Sequence, residues 1–376
     1  MPDESSPATT DPSRPTRGGG GGGRRRKPRA KRSKALVITA CTAAGLVVVA
    51  GAGAGFLYFK LNGNIKGVDI NAALGTDRPT NVDNGSMDIL VLGSDSRSGA
   101  NAKYGEDGGG ARSDTAMVVH VYKGHKKASV VSIPRDTLVT RPTCTDSAGK
   151  TVAGGSQQMF NTAYEVGGPA CAVKTVEKMS GIRMDHYVEV DFSGFKKLIN
   201  TLGGVDVTTQ QAINDDKSHL HLAAGTHTLT GEQALGLVRT RHAVGDGSDL
   251  GRIQLQQAFM KALINQIKDV GVFTSPTKLY DLADTATSAV TTDSELNSVK
   301  ELTGFAGGLK GIGAGDMKMV TLPVQYDPAD PNRVLPLEKA GARVWAALEA
   351  DQPVPASAIK KSAGDKGSAG SVVTSH

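Results

Sequence analysis

Acidic and basic side chains recur in this chain as close pairs at the ends of apolar runs. Asp95 and Arg97 stand in GSDSR, Arg112 and Asp114 in RSDT, and Arg135 and Asp136 in SIPRDT. Arg239 and Arg241 follow in VRTRH, then Asp249 and Arg252 in SDLGR, with Gln256 four residues beyond Arg252. Arginine rather than lysine at these places favours a planar or multidentate oxyanion, because guanidinium presents paired N–H donors to phosphate. Asp95 and Asp114 carry the hard oxygens that suit magnesium, which takes one or two carboxylates and completes its shell with substrate phosphates. Arg252 and Gln256 share one helical face. Arg239 and Arg241, two apart, diverge on a regular helix, so a helix end near Thr240 is required if both serve one site. His242, beside them, reads as a solvent-facing histidine. The chain has no GxxxxGK[ST] loop, GxSxG elbow or HExxH pair, so the usual NTPase, serine hydrolase and zincin readings lack support.

The elements that must position these groups are legible from periodicity. MDILVLGSD, TAMVVHVYK and ASVVSIPRD read as strands from their β-branched runs, and if they are sheet neighbours, the paired charges from Asp95 to Asp136 meet at one rim. CAVKTVEKMSG reads as a helix stopped by Gly181, HYVEVDF as a strand, and FSGFKKLINTLGG as a helix stopped at Gly203 and Gly204. THTLTGEQAL opens a helix with the capping box Thr230 and Gln233, and RIQLQQAFMKALINQIKDVG is amphipathic, with Met260, Leu263, Ile264 and Ile267 on one stripe. This alternation predicts a layered α/β/α domain with a central mixed sheet flanked by helices.

Charge is distributed unevenly along the 376 residues: residues 1–34 hold ten basic and three acidic side chains, which leaves the rest of a chain of net charge +6 close to neutral. The basic run Arg24 to Lys34 leads directly into Ala35 to Phe59, which contains no charged residue. As a helix that segment is about 37 Å long against a hydrocarbon core of ~30 Å. Basic residues on its N-terminal side place the N-terminus in the cytoplasm and everything after Lys60 outside. The basic run therefore reads as a topology signal rather than a nucleic-acid arm. Of the three cysteines, Cys41 falls in the apolar segment, and Cys144 with Cys171 makes a natural disulfide in an oxidising compartment. The expected organisation is a disordered basic tail (1–34), a single transmembrane helix (35–59), a connector (60–85), an extracytoplasmic catalytic domain (86–352) and a disordered C-terminal tail (353–376).

In their order, GSDSR, RSDT, SIPRD, FNTAYEVGGP, DHYVEVDFSGF, LGGVDV, AGTHTLTGEQAL, VRTRH and DLGRIQLQQ resemble the LytR-CpsA-Psr family from about Met87 to Asp269. The resemblance implies a phosphotransferase that moves a glycopolymer phosphate from undecaprenyl pyrophosphate, a polyprenyl carrier, to a peptidoglycan hydroxyl, C6 of N-acetylmuramic acid. It implies magnesium, or manganese, on Asp95 and Asp114, and pyrophosphate on Arg112, Arg135, Arg239, Arg241, Arg252 and Gln256. Arg97 would stand nearby, Arg112 and Arg135 would stabilise charge, and Asp136 or Asp95 would accept the hydroxyl proton. An apolar tunnel for the prenyl chain is also expected, as are lipid and glycan partners and no nucleic acid. Leu255 stands where members often carry a basic residue. Two other functions share these residues: a lipid pyrophosphate hydrolase and a membrane-bound regulator of envelope genes.

Overall fold

The computed structural model describes residues 52–94, 113–146, 148–241, 248–271, 275–365 and 373–374. The chain divides into two units, Met1–Gly55 and Phe56–His376, and the sheet with its helices belongs to the second. Asp95, Arg97, Arg112, His242 and most of the apolar segment 35–59 lie outside the described residues. Among the described residues no helix is long and apolar enough to cross a membrane.

A mixed seven-stranded sheet forms the centre. Its strands are β1 (Lys66–Val68), β2 (Met87–Ser94), β3 (Ser113–Val121), β4 (Ala128–Ile133), β5 (His186–Asp191), β6 (Val290–Asp293) and β7 (Met317–Thr321), in spatial order β1-β6-β5-β2-β3-β4-β7. β2 runs parallel to β5 and antiparallel to β3, and β3 runs antiparallel to β4. One rim of the sheet therefore collects the C-terminal ends of β2, β4 and β5 and the start of β3. Asp114, Arg135, Asp136 and Asp191 sit at or just beyond these ends.

Alternation along the strands sets the layers. Leu90, Leu92, Val118, Val131 and Ile133 face a core shared with Val173, Val176, Val344 and Trp345, whereas Ile89, Val91, Val119 and Val121 face the opposite side against Phe305 and Leu309. The helices include α1 (Ile70–Leu74), α2 (Phe160–Ser180), α3 (Phe192–Thr201), α4 (Gly231–Arg239), α5 (Asp249–Asp269), α6 (Pro276–Ala289), α7 (Val299–Leu309) and α8 (Glu338–Glu349), of which α2, α7 and α8 supply these partners. The result is the α/β arrangement with a flanked central sheet that the alternation predicted. Gly181 ends α2 with φ 73°, and Thr230 and Gln233 form the capping box of α4.

α2 is broken in the middle by Gly167, Gly168 and Pro169, and Gly168 has φ 59°. A Cβ on Gly167 would lie 2.8 Å from both the Cβ of Cys171 and the carbonyl oxygen of Thr145. Glycine there lets the helix approach the disulfide that joins Cys144 to Cys171 across 27 positions.

Two segments depart from expectation. The connector 60–85 is built into the fold: β1 extends the sheet beside β6, and Ile70 and Leu74 are buried in the core. Arg78 clamps Glu177 of α2, with Nη2 to Oε1 at 2.6 Å. The tail from 353 is likewise ordered in its first part, since Val354 and Ala358 are buried in the same core and Lys318 donates to the Val354 carbonyl at 2.6 Å. Val373 pairs with Thr209 of the strand Val205–Thr209. Each anchor uses only one or two apolar residues, too few to register as a periodic pattern.

Candidate functional site

Arg135 leaves the C-terminal end of β4 through Pro134, and its guanidinium reaches across to β3, where Nη1 is bonded to Asp114 Oδ1. The backbone N–H of Arg135 donates to Asp249 Oδ2 at 3.3 Å, which ties β4 to the first turn of α5. Asp249 lies at the positive end of that helix dipole. Its Oδ1 faces three guanidinium groups: Arg252 Nη2, Arg241 Nη2 at 3.4 Å and Arg135 Nε at 3.6 Å. Arg252, 4% exposed, also donates to the Asp114 carbonyl at 3.0 Å. Asp136 Oδ2 lies 3.5 Å from Arg135 Nε.

Thr240 explains how two arginines two positions apart reach one place. It caps α4 with φ −59° and ψ 133°, and its buried hydroxyl bonds to the Gly236 carbonyl at 2.9 Å and to Ser218 Oγ at 2.7 Å. The helix ends there, and Arg241 turns back while its N–H donates to Asp215 Oδ2 at 3.1 Å. Arg239, on the last turn, lies with its guanidinium 5.0 Å from the centroid of the Phe192 ring. Both arginines line the same cavity.

That cavity, about 460 Å³, has Asp114, Arg135, Arg239, Arg241 and Arg252 at its polar end. Beyond them its walls are Val91, Met117, Phe195, Phe259, Met260 and Leu263. Arg252, Gln256, Met260 and Leu263 recur every three or four residues, so one face of α5 carries the lining from charged to apolar. Leu255 faces elsewhere, fully buried in the cluster beneath α5. Gln256, expected on pyrophosphate, has both Nε2 hydrogens committed, to Thr115 Oγ1 at 2.9 Å and the Val238 carbonyl at 3.0 Å. It fixes β3, α4 and α5 against one another.

The charged groups at the polar end act on one another. Burial works against charge on Asp114, but Arg252 and Arg135 overcome it and hold the carboxyl below its ordinary range. Burial, then repulsion from Arg252 and Arg135, push Arg241 below the usual guanidinium value. Arg135, Arg241 and Arg252 stand among three carboxylates, Asp114, Asp136 and Asp249, and Arg239 adds a fourth guanidinium to the cavity. Nε of Arg135, 3.5 Å from Asp136 Oδ2 and 3.6 Å from Asp249 Oδ1, and Nε of Arg252 are buried without a closed hydrogen bond among the described residues, as is Asp249 Oδ1. Buried donors of this kind call for an anion with several oxygens. Of the cavity carboxylates, Asp191 and Asp215 are engaged with backbone N–H groups and Asp114 Oδ1 with Arg135 Nη1. No group of three His, Cys, Asp or Glu side chains surrounds a metal position among the described residues. Asp95, the other expected ligand, follows Ser94, whose strand partner is Ser113.

The apolar wall formed by Phe195 and Phe259 escaped sequence reasoning, although the stripe on RIQLQQAFMKALINQIKDVG was its signal. The model of the LytR_cpsA_psr family matches residues 57–349. The chain is similar to the cell wall biosynthesis protein LcpA of Corynebacterium glutamicum, at 34% identity over 269 residues, 65% of this chain and 51% of that one. It thus spans about half the length of that relative. It is also similar to the polyisoprenyl-teichoic acid–peptidoglycan teichoic acid transferase TagT of Bacillus subtilis, at 36% identity over 251 residues, 64% of this chain and 72% of the other. A solved structure of TagT bound to LI-WTA superimposes with a TM-score of 0.54 at 27% identity, covering 73% of this chain and 96% of that one.

Proposed function

The chain belongs to the LytR-CpsA-Psr family, and from that premise we propose that it transfers a glycopolymer phosphate from a polyprenyl pyrophosphate carrier to a peptidoglycan hydroxyl, C6 of N-acetylmuramic acid. The observation that carries the proposal is one cavity whose lining joins Arg135, Arg239, Arg241 and Arg252 to the apolar side chains Val91, Met117, Phe195, Phe259, Met260 and Leu263. A prenyl chain suits the apolar walls, and a pyrophosphate suits Arg135, Arg239, Arg241 and Arg252. Arg112 and Arg97 would join them from the segment preceding Asp114.

The reaction is an in-line displacement. The acceptor hydroxyl oxygen forms a bond to the phosphorus that carries the sugar, and the bond from that phosphorus to the bridging oxygen breaks. The electron pair leaves with the lipid phosphate, and the hydroxyl proton passes to a carboxylate, Asp136 or Asp95. Arg135 and Arg252 are fixed before substrate arrives, so charge shifting to the bridging oxygen meets donors that need no reorganisation. Magnesium or manganese, held by Asp114 with Asp95, would supply further neutralisation of the pyrophosphate.

The site belongs outside the cytoplasm, with residues 35–59 as a single membrane-spanning helix. Phe56 and Phe59, on the helical residues 56–64, are 68% and 76% exposed, as expected of aromatic side chains at a membrane interface. A reporter fused after His376 should be active outside the cytoplasm. The transfer test incubates the full chain in detergent with a polyprenyl-pyrophosphate-linked glycan and peptidoglycan strands. Mass spectrometry should find the phosphodiester-linked product and free polyprenyl phosphate; lipid cleavage without linked product would mark a hydrolase instead.

A further inference from the structure

A second cavity, about 500 Å³, lies on the other side of the arginine wall. Pro134, Arg135, Asp136, Arg241 and Asp249 form one flank. The other flank is a hairpin of β8 (Val324–Tyr326) and β9 (Val334–Pro336), which contributes Tyr326, Pro331, Asn332 and Arg333. The two cavities share Arg135, Arg241 and little else. Asp114 opens to the apolar one and Asp136 to the polar one.

The connection between β8 and β9 is held in a fixed shape. Asp327 Oδ1 accepts from the Ala329 N–H at 2.9 Å, and Asp330 Oδ1 accepts from the Asn332 N–H at 3.0 Å and from Asn332 Nδ2 at 2.9 Å. The Arg333 N–H donates to the Asp330 carbonyl at 2.9 Å. The Val334 N–H donates to the Asp136 carbonyl at 3.3 Å, so the hairpin is pinned to the residue whose side chain it faces. Arg333 Nη1 stands 4.0 Å from Asp136 Oδ1.

We infer that this cleft is a saccharide subsite of the transfer reaction, with Asn332 and Arg333 as its specificity-determining residues. The inference rests on the transferase reading above and deepens it. An amide, a guanidinium, a carboxylate and a tyrosine ring offer donors, acceptors and a flat apolar face, the mixture that a polyhydroxylated and partly anionic ring requires. Among the described residues no apolar wall comparable to Phe195, Phe259 and Leu263 lines the cleft, so it does not suit the prenyl chain. The volume falls within the range of about 300–1,000 Å³ found for small-ligand sites. A sugar seated there lies beside Asp136 and next to the two arginines, Arg135 and Arg241, that also line the other cavity. Where that sugar is the acceptor, its hydroxyl oxygen bonds to the sugar-bearing phosphorus at Arg135 and Arg241, which line both cavities, the bond from that phosphorus to the bridging oxygen breaks, and the hydroxyl proton passes to Asp136.

The saccharide can belong to the acceptor or to the glycan on the donor, and kinetics separate the two. The full chain in detergent is assayed as wild type, Asn332→Ala and Arg333→Ala, with uncrosslinked peptidoglycan strands as acceptor. The donors are a polyprenyl-pyrophosphate-linked disaccharide and sugarless polyprenyl pyrophosphate, the latter measured by binding. For one lost hydrogen bond to a charged or hydroxylated ring, a rise of about tenfold is expected in a saccharide KM. A rise confined to the acceptor KM assigns the subsite to peptidoglycan. A rise confined to the disaccharide donor assigns it to the transferred glycan. Either result requires that binding of the sugarless lipid stay within about twofold. Unchanged saccharide constants in both variants, or an equal loss for the sugarless lipid, overturn the subsite while leaving the transferase reading intact. A wild-type chain that releases no polyprenyl phosphate overturns both.

Discussion

Two cavities of similar size, about 460 and 500 Å³, meet at the same pair of arginines and are lined in opposite ways. The apolar one is walled by α3 and α5 under the sheet, where Phe195, Phe259, Met260 and Leu263 project from regular helices. The polar one is walled by a short hairpin whose shape is fixed by Asp327 and Asp330. A helix face can supply a long, uniform apolar wall because its side chains recur along one stripe. A turn supplies a few polar groups at set positions because its own backbone must be satisfied locally. The difference suggests a division of labour around one reactive centre: chain length on one side and hydroxyl pattern on the other.

The division depends on the wall between the cavities, and the largest expected effect tests what holds that wall in place. Phe160 and Asn161, at the start of α2, donate their N–H groups to the carbonyls of Thr137 and Arg135 at 2.9 and 3.1 Å. The disulfide ties the second half of the same helix to Cys144. Closing a loop of this length stabilises a domain by about 3.5 kcal/mol in the chain-entropy view. Reduced protein, or Cys144→Ser with Cys171→Ser, should melt lower and lose transfer before it loses prenyl binding. Equal loss of both would show that the two sides are not separable.

Next in size are the arginines. Arg135→Ala or Arg252→Ala removes charge-assisted bonds worth about 1.5–3 kcal/mol, a ten- to hundredfold loss of transfer. Arg241→Ala should show a comparable loss with no fall in melting temperature, because burial, and then repulsion from Arg252 and Arg135, work against its charge in the folded chain. Thermal melts beside a transfer assay check this; full activity in Arg252→Ala would remove the site. On the apolar side, Leu263→Asp places a carboxylate among apolar atoms and should cost about tenfold with a long prenyl donor and little with a short one. Equal effects on both donors would mean that the chain lies elsewhere.

Much of this was legible in the sequence, and the parts that were not share a cause. The strand-end motifs located Asp114, Arg135 and Asp136 because an apolar run followed by charge marks a strand and its rim. The spacing of Arg239 and Arg241 forced a helix end at Thr240, and the structure has one there. The hairpin residues Asn332 and Arg333 gave no such signal, since DPADPNR reads only as a turn. Gln256 was legible as a neighbour of Arg252 but not as a residue with both donors already used, because its partners Thr115 and Val238 are distant in sequence. Burial of Ile70, Leu74, Val354 and Ala358 was invisible for the same reason: single apolar residues acquire a partner only in three dimensions.

The smallest expected effect comes from an ionic cluster that lines neither cavity, and it sharpens the contrast by acting on stability alone. His120 on β3 is buried, with Nδ1 2.9 Å from Asp88 Oδ1 and Nε2 3.2 Å from Asp351 Oδ1, just past the end of α8. Burial opposes protonation, but Asp88 and then Asp351 outweigh it and raise the imidazole above its usual 6.5. The folded chain therefore holds a proton that the unfolded chain releases near pH 6.5. This contribution is fully present below that pH and disappears as pH rises through the raised folded value. His186, paired with Asp293 Oδ2 at 3.2 Å, is raised in the same direction, so wild type alone cannot apportion the change. Melting curves of wild type and His120→Gln between pH 5.5 and 9 separate the two. Wild type should lose melting temperature as pH rises, and the variant should start lower at acidic pH and change less. Transfer measured at a temperature well below melting should be the same in both, since His120 touches neither the arginine wall nor the hairpin. A parallel pH response in the two proteins would assign the titration to His186, and a transfer defect in His120→Gln would show that the face of the sheet bearing α8 is coupled to the reactive rim.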